Sequence, residues 1–278
     1  MRNTNETNQC ADERVVNAPA MVLAAGRGER MRPLTDTLPK PLLKVHDKTL
    51  VQWHLEALQK GGCRKVVMNT AWLGAQIENS LGDSFDALSE GSDAFQAEVV
   101  RLYYSHEAQD FGAALETAGG IARAMPLLRD EVFWVLAGDV FTPGFMFDQS
   151  AVDCFKASGK LAHLWLVPNP EHNLNGDFCL VKDAALETQW GRPVGLAQSL
   201  PYDASQTRYT YSTIGLFRAA LFALPWCEIP YANKSGVHAA LAPLLRAAML
   251  EGMISAEVYL GEWTDVGTPE RLAKLNAL

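Results

Sequence analysis

No stretch of this chain approaches the ~20 consecutive apolar residues that cross a membrane. The opening MRNTNETNQCADERVVN is polar and lacks the apolar core of a signal peptide. Membrane insertion and export drop out of the expectation, which is a cytoplasmic protein. Cysteine is sparse. Cys10, Cys63, Cys154, Cys179 and Cys227 are scattered, odd in number and form no CxxC pair, a pattern of thiols in a reducing compartment rather than a disulfide framework. The six histidines form no HExxH or His-x-His arrangement, so no zinc site is expected. Basic charge is short as well. Against 32 Asp and Glu stand 24 Lys and Arg, for a net charge of −8, and no Lys/Arg run occurs. That balance excludes a nucleic-acid groove but not a small anionic substrate, which a few well-placed cations can hold.

What is present is an alternation. The 278 residues are 48% hydrophobic, enough for one large α/β domain. We expect residues 1–18 as a disordered leader and residues 19–278 as the domain, its later part forming a lid or side wall. Ala20–Ala25 reads as a buried strand. Thr49–Gln59 reads as a helix, with Thr49 and Gln52 as a capping box and Gly61-Gly62 as its stop. Arg64–Asn69 is a strand, Trp72–Leu81 a helix stopped by Gly82, Val99–Tyr104 a strand, Ala114–Met125 a helix and Val132–Ala137 a fully buried strand. This rhythm predicts a Rossmann-like, doubly wound, mostly parallel sheet with helices on both faces. Beyond about residue 150 the rhythm weakens to strands at Leu161–Val167, Gly176–Val181, Tyr209–Phe217 and Ile254–Leu260 and a helix at Val237–Glu251. Thr268-Pro269-Glu270 supplies an N-cap, a first-position Pro and an early acid for a last helix. Trp72 and Trp263 are expected in the core.

The first strand runs into Ala25-Gly26-Arg27-Gly28-Glu29-Arg30-Met31-Arg32-Pro33-Leu34. A GxG after a strand is either a tight turn or a phosphate cradle. Two specific cradles fail. A P-loop needs GxxxxGK[ST], and a dinucleotide loop needs a third glycine where Met31 stands. Yet Arg30 and Arg32 flank the glycines, and Leu38-Pro39-Lys40-Pro41-Leu42 follows. Glycines admit backbone N–H groups close to phosphates. Arg30 can grip phosphate oxygens in two places, and Lys40 adds a point charge between two stiffening prolines. Downstream, Ala137-Gly138-Asp139 ends the buried strand, where ligands of such sheets collect. Asp265, in Trp263-Thr264-Asp265-Val266-Gly267-Thr268, ends another apolar strand. Each Asp serves either a turn or a cation.

LAAGRGERMRPLT followed by PKPL, with the two Asp motifs, resembles the signature of the sugar-1-phosphate nucleotidyltransferase family. The resemblance implies a nucleotide site at Leu23, Ala24, Ala25, Gly26, Arg27, Gly28 and Lys40, continued by Glu116, Thr117 and Gly119. It implies Arg30, Lys40 and Asp139 as catalytic residues and Asp139 and Asp265 as ligands of Mg²⁺. Two carboxylates plus substrate phosphates suit that ion. Asn69-Thr70-Ala71-Trp72-Leu73-Gly74, Leu115–Gly120, Asn169-Pro170, Gly176-Asp177-Phe178, Ile214–Phe217 and Leu241–Arg246 follow in order. They resemble the branch that joins UTP to N-acetylmuramate α-1-phosphate in cell-wall sugar recycling. Asn169, Gly176, Asp177 and Thr213 are then the sugar side, where the chain departs from the branch at Pro143, Cys179 and Ser212-Thr213. Muramate carries a lactyl carboxylate, for which Arg208, Lys234, His238 and Arg246 are the candidate cations. Glucose- or mannose-1-phosphate transfer with UTP, dTTP or GTP is the alternative within the family, and a silent nucleotide-binding regulator the alternative outside it. Partners are therefore UTP and a sugar 1-phosphate. No general base is expected, because the attacking phosphate oxygen is already ionised; positioning and charge neutralisation carry the chemistry.

Overall fold

The computed structural model describes residues 17–87, 99–199 and 207–277. The first half holds β1 (Ala20–Leu23), a hairpin of β2 (Lys44–Val45) and β3 (Lys48–Thr49), α1 (Leu50–Lys60), β4 (Lys65–Thr70), α2 (Gly74–Leu81), β5 (Ser84–Phe85), β6 (Val100–His106), α3 (Glu107–Phe111), α4 (Glu116–Leu128) and β7 (Val132–Ala137). The second holds β8 (Val140–Phe141), α5 (Gln149–Ser158), β9 (Ala162–Val167), β10 (Phe178–Lys182), α6 (Ala184–Trp190), β11 (Gly195–Gln198), β12 (Arg208–Arg218), α7 (Leu241–Leu250), β13 (Ile254–Val258), β14 (Thr264–Asp265) and α8 (Pro269–Asn276).

Ten strands form one sheet in the order β10-β11-β13-β9-β12-β7-β1-β4-β6-β5. The expected doubly wound sheet is present, and its parallel pairing runs through β7-β1-β4-β6. In the other half β12 runs antiparallel to both β7 and β9, and among the described residues parallel pairing returns there between β13 and β9. The alternation of side chains along each strand explains why both faces are covered. In β1, Met21 joins one apolar cluster with Val67, Ile121 and Met125, while Val22 joins the other with Leu55, Leu58 and Met68. β7 repeats this, Phe133 and Val135 on one face and Trp134 and Leu136 on the other.

Local signals hold where chain chemistry is strongest. Thr49 and Gln52 close the capping box on α1. At the other end of the chain, the Thr268 side chain accepts from Arg271 N and Pro269 opens α8. The helix expected over 237–251 begins only at Leu241. Residues before it are extended, because Ala239 trades hydrogen bonds with α4: its N–H donates to Leu115 O, and its carbonyl accepts from Ala118 N and Gly119 N. Trp72 and Trp263 are half-buried rather than core. Their indoles donate to Thr35 O at 2.8 Å and Ser212 O at 3.0 Å, placing them over loops. Residues 1–16, most of the expected leader, lie outside the described residues. Asn17 is buried and its amide donates to Gly61 O and Phe147 O, while its carbonyl accepts from Trp134 Nε1. Cys63, Cys154 and Cys227 are free thiols. Among the described residues no helix is long and apolar enough to cross a membrane.

Candidate active site

Parallel register brings the site together. Leu23 pairs with Asn69 of β4 on one side and with Ala137 of β7 on the other, so the carboxyl ends of three strands emerge side by side. There they border a cavity of about 650 Å³ lined by Leu23 to Gly26, Gly28, Lys40, Glu116, Thr117, Asp139, Asp177 and Thr213, among others. Residues from both halves of the sequence therefore share one space.

The glycine loop is shaped from below. Gly28 sits at φ 67°, a left-handed conformation that glycine adopts without steric cost, and Thr35 Oγ1 donates to its carbonyl at 2.8 Å. A side chain on Gly26 would meet no protein atom within 4 Å, so its bareness leaves room above the loop for a ligand. Lys40 is buried and its Nζ lies 2.5 Å from Asp139 Oδ2. Arg27 stacks on Trp72 at 3.8 Å and pairs with Glu29 at 2.6 Å, off the cavity lining. Arg30 is exposed, off the lining too, and forms no hydrogen bond or ion pair with any described residue.

A network that sequence reasoning did not single out locks the loop to the sheet. Ala24 N donates to Asn69 Oδ1 at 2.9 Å, and Asn69 Nδ2 donates to Glu107 Oε1 at 2.7 Å. The other Glu107 oxygen accepts from Leu115 N at 2.7 Å. Burial raises the Glu107 carboxyl above the usual carboxylate range, although the two donors pull it back. Gly120 leaves the space: a Cβ there would stand 2.5 Å from Glu107 Oε1. The signal available was Asn69 at the end of a buried strand, followed by an acid directly after the next one.

Of the remaining expected residues, Glu116 and Thr117 line the cavity at the start of α4. Gly119 does not. The Val237 carbonyl would lie 2.5 Å from a Cβ there, so this glycine admits a chain crossing. Asp177 and Thr213 reach the lining, whereas Asn169 and Gly176 knit the loop behind it. Asn169 Nδ2 donates to Leu174 O and Arg208 O, and a Cβ on Gly176 would strike Asn169 Oδ1 at 2.7 Å. Glu116 at φ 59° and Thr213 at φ 64° are non-glycine residues in the left-handed region, a conformation costing on the order of 1 kcal/mol or more that concentrates at functional sites.

The two expected metal carboxylates meet through backbone. β8 and β14 pair antiparallel with Asp265 opposite Val140, and Val266 N donates to Asp139 O at 3.1 Å. Asp265 is off the cavity lining. Its Oδ2 is held by Arg271 at 2.8 Å, with His172 Nε2 3.3 Å away. Its Oδ1 takes no partner among the described residues, and Gly267 leaves that oxygen space a Cβ would fill at 2.8 Å. Hard oxygen donors of this kind suit Mg²⁺ shared with phosphates. Among the described residues no cluster of three or more His, Cys, Asp or Glu could hold a metal by protein ligands alone, so the fit requires substrate oxygens.

The nucleotidyl transferase family model matches residues 19–178. N-acetylmuramate alpha-1-phosphate uridylyltransferase of Neisseria meningitidis serogroup B is 41% identical over 264 residues, covering 93% of this chain and 97% of that protein. The catalytic subunit beta of Drosophila melanogaster mannose-1-phosphate guanylyltransferase is 36% identical over 134 residues, covering 47% of this chain and 32% of its own. In fold, the chain resembles a UTP-bound UGPase from Acinetobacter baumannii with a TM-score of 0.69 at 16% identity, covering 94% of this chain and 93% of that one. With its family signature matched over more than half its length, the chain belongs to the nucleotidyl transferase family.

Proposed function

We propose that this protein is a cytoplasmic, Mg²⁺-dependent uridylyltransferase that joins UTP and N-acetylmuramate α-1-phosphate, giving UDP-N-acetylmuramate and pyrophosphate. The observation that carries the reading is the 41% identity to the Neisseria uridylyltransferase across 97% of that protein, a span that includes both halves of the cavity. The family generally uses a divalent metal, and scattered cysteines without a CxxC pair suit a reducing compartment.

In this reading a sugar-phosphate oxygen forms a bond to the α-phosphorus of UTP. The bond from that phosphorus to the oxygen bridging to the β-phosphate breaks, and pyrophosphate leaves with the electron pair. The attacking oxygen is already ionised, so no side chain needs to take a proton. Gly26 and Gly28 give the triphosphate close access to backbone N–H groups. Arg30, without a partner among the described residues, and Lys40 neutralise its charge. Leu23, Ala24, Ala25, Glu116 and Thr117 border the nucleoside, and Asp177 and Thr213 the sugar. Asp139 and Asp265 Oδ1 would hold Mg²⁺, whose chemistry when bound is to neutralise charge on the triphosphate.

The test is a pyrophosphate-release screen crossing UTP, dTTP, GTP and ATP with the 1-phosphates of N-acetylmuramate, N-acetylglucosamine, glucose and mannose. UTP with N-acetylmuramate 1-phosphate should give the highest kcat/KM. Equal or better use of a neutral sugar sinks the muramate reading, and release with no pair sinks the enzymatic one.

A further inference from the structure

Two of the residues lining the cavity are cations, Lys40 and Arg246. Lys40 faces Asp139 at 2.5 Å, beside the glycine loop. Arg246 forms no hydrogen bond or ion pair with any described residue. It is also the sole charged residue of α7, whose sequence is LAPLLRAAML, so nothing on its own helix neutralises it. Around it the lining is apolar: Ala240, Leu241, Ala242 and Leu245 come from the same segment.

The placement of α7 decides which end of the cavity Arg246 serves. Leu241 and Leu245 belong to the apolar cluster that contains Phe178, with Tyr211 packed against it. Asp177 precedes Phe178, and its Oδ2 accepts from Tyr211 N at 2.9 Å. α7 packs against β11 and β13, in the half of the sheet that carries Asp177 and Thr213, as well as against α4, and Arg246 lines the cavity that those two residues border. The other candidate cations are absent from the lining. Arg208 donates to the carbonyls of Asn175 and Asp177, while Lys234 and His238 are exposed and off the lining, His238 lying near Glu107.

The charge of the cavity makes such a cation necessary for an acidic sugar. Glu107, Glu116, Asp139 and Asp177 all border it. A second anionic group on the sugar, added to its phosphate, meets a wall already negative unless a cation faces it. We propose that Arg246 recognises a carboxylate borne by the sugar, and so sets the preference for an acidic over a neutral hexosamine 1-phosphate. This rests on the muramate reading above. A guanidinium binds a carboxylate through two parallel hydrogen bonds, which an ammonium reproduces only in part. Because Arg246 is exposed, selectivity comes from attraction to the carboxylate and not from a buried donor left unpaired.

The experiment measures kcat and KM with UTP for N-acetylmuramate 1-phosphate and N-acetylglucosamine 1-phosphate, in the unmodified protein, Arg246→Gln and Arg246→Lys. Calorimetric binding of UDP-N-acetylmuramate and UDP-N-acetylglucosamine is read alongside. Arg246→Gln should lower the muramate-to-glucosamine ratio of kcat/KM by about tenfold, mainly through KM for the muramate, as expected for one exposed charge-assisted contact. Arg246→Lys should recover part of that ratio, and product affinities should follow the same order. An equal loss with both sugars assigns Arg246 to the phosphate and overturns the proposal, as does a rise in KM for UTP alone or an unchanged ratio. If the unmodified protein shows no preference for the muramate, the function proposed above fails first, and the two failures are told apart.

Discussion

Two groups of charged side chains sit in different parts of the same sheet, and only one of them opens on the cavity. At the carboxyl end of β7, Lys40 and Asp139 face one another across 2.5 Å beside the glycine loop. On and beside β9 and β13, His163, Ser255, Glu257 and Arg192 form the other group. Arg192 grips Glu257 with two contacts of 2.7 and 2.9 Å, and His163 Nδ1 lies 2.9 Å from Ser255 Oγ. His163 is buried, stacked on Trp190 at 4.1 Å and edge-on to Trp165 at 4.6 Å. A base beside an acid is present in both. The second is largely sealed by aromatic rings around His163, with Arg192 partly exposed, so its charges are spent on one another, whereas the first borders the cavity, where the proposed reaction would bring phosphates to its carboxylate and ammonium. Access, not the residue types, separates chemistry from structure here.

The largest effect that would break this contrast is at the open group. Asp139→Asn should lower kcat by about a hundredfold or more, the scale of removing one preorganised charge contact, and Asp265→Asn should do the same. The far-ultraviolet circular dichroism spectrum should keep its native shape. Full activity at saturating Mg²⁺ in either variant would remove that residue from the metal site.

At the sealed group the expected change is in stability. Glu257→Gln leaves Arg192 without its counter-charge, which should destabilise the fold by about 2 kcal/mol, less than the ~3–5 kcal/mol typical of fully buried pairs because Arg192 is partly exposed. Urea titration measures it, and kcat should stay within about twofold. A loss of kcat at unchanged stability would erase the distinction between the two groups.

A smaller effect concerns pH. Burial holds His163 below its ordinary value, with Glu257 opposing in part and Arg192 reinforcing. The unfolded chain therefore takes up a proton near pH 6.5 that the folded chain refuses, so this group lowers stability as pH falls below about 6.5. His163→Gln should flatten that acid limb in urea midpoints taken from about pH 7.5 to 5.5. An unchanged slope would mean that other groups set it.

Much of the fold was legible because single residues carry strong local physics. Thr49 with Gln52, the apolar VFWVLA of β7 and Thr268-Pro269 each fix an element by capping, burial or a locked φ. The start of α7 was readable too: Pro243 can stand in a first turn but not in the interior of a helix reaching back to Val237. Asp148 and Gly159, which cap α5 at its two ends, were comparable signals in a region whose rhythm had faded. At the site, loop and strand-end chemistry pointed to Gly26, Lys40 and Asp139, and the family resemblance to Thr117, Asp177 and Asn169. The sequence could not separate Asp177, on the lining, from Asn169 behind it, since both are polar residues at strand ends. Nor did it reveal the partnership of Asn69 and Glu107, which depends on which strands lie side by side; the strand-end positions of the two residues were its one local sign.

The pairing of β8 with β14 has a temporal consequence. Asp139 belongs to the middle of the chain and Asp265 to its last segment, so closing their backbone bond spans nearly half the polypeptide. During synthesis the glycine loop, β1, β4 and β7 can assemble while the ribosome is still making the remainder. The carboxylate pair cannot. A contact of such long range is late in folding order, and a growing chain that already holds its glycine loop stays without the β8–β14 pair, and so without the proposed cation seat, until β14 emerges.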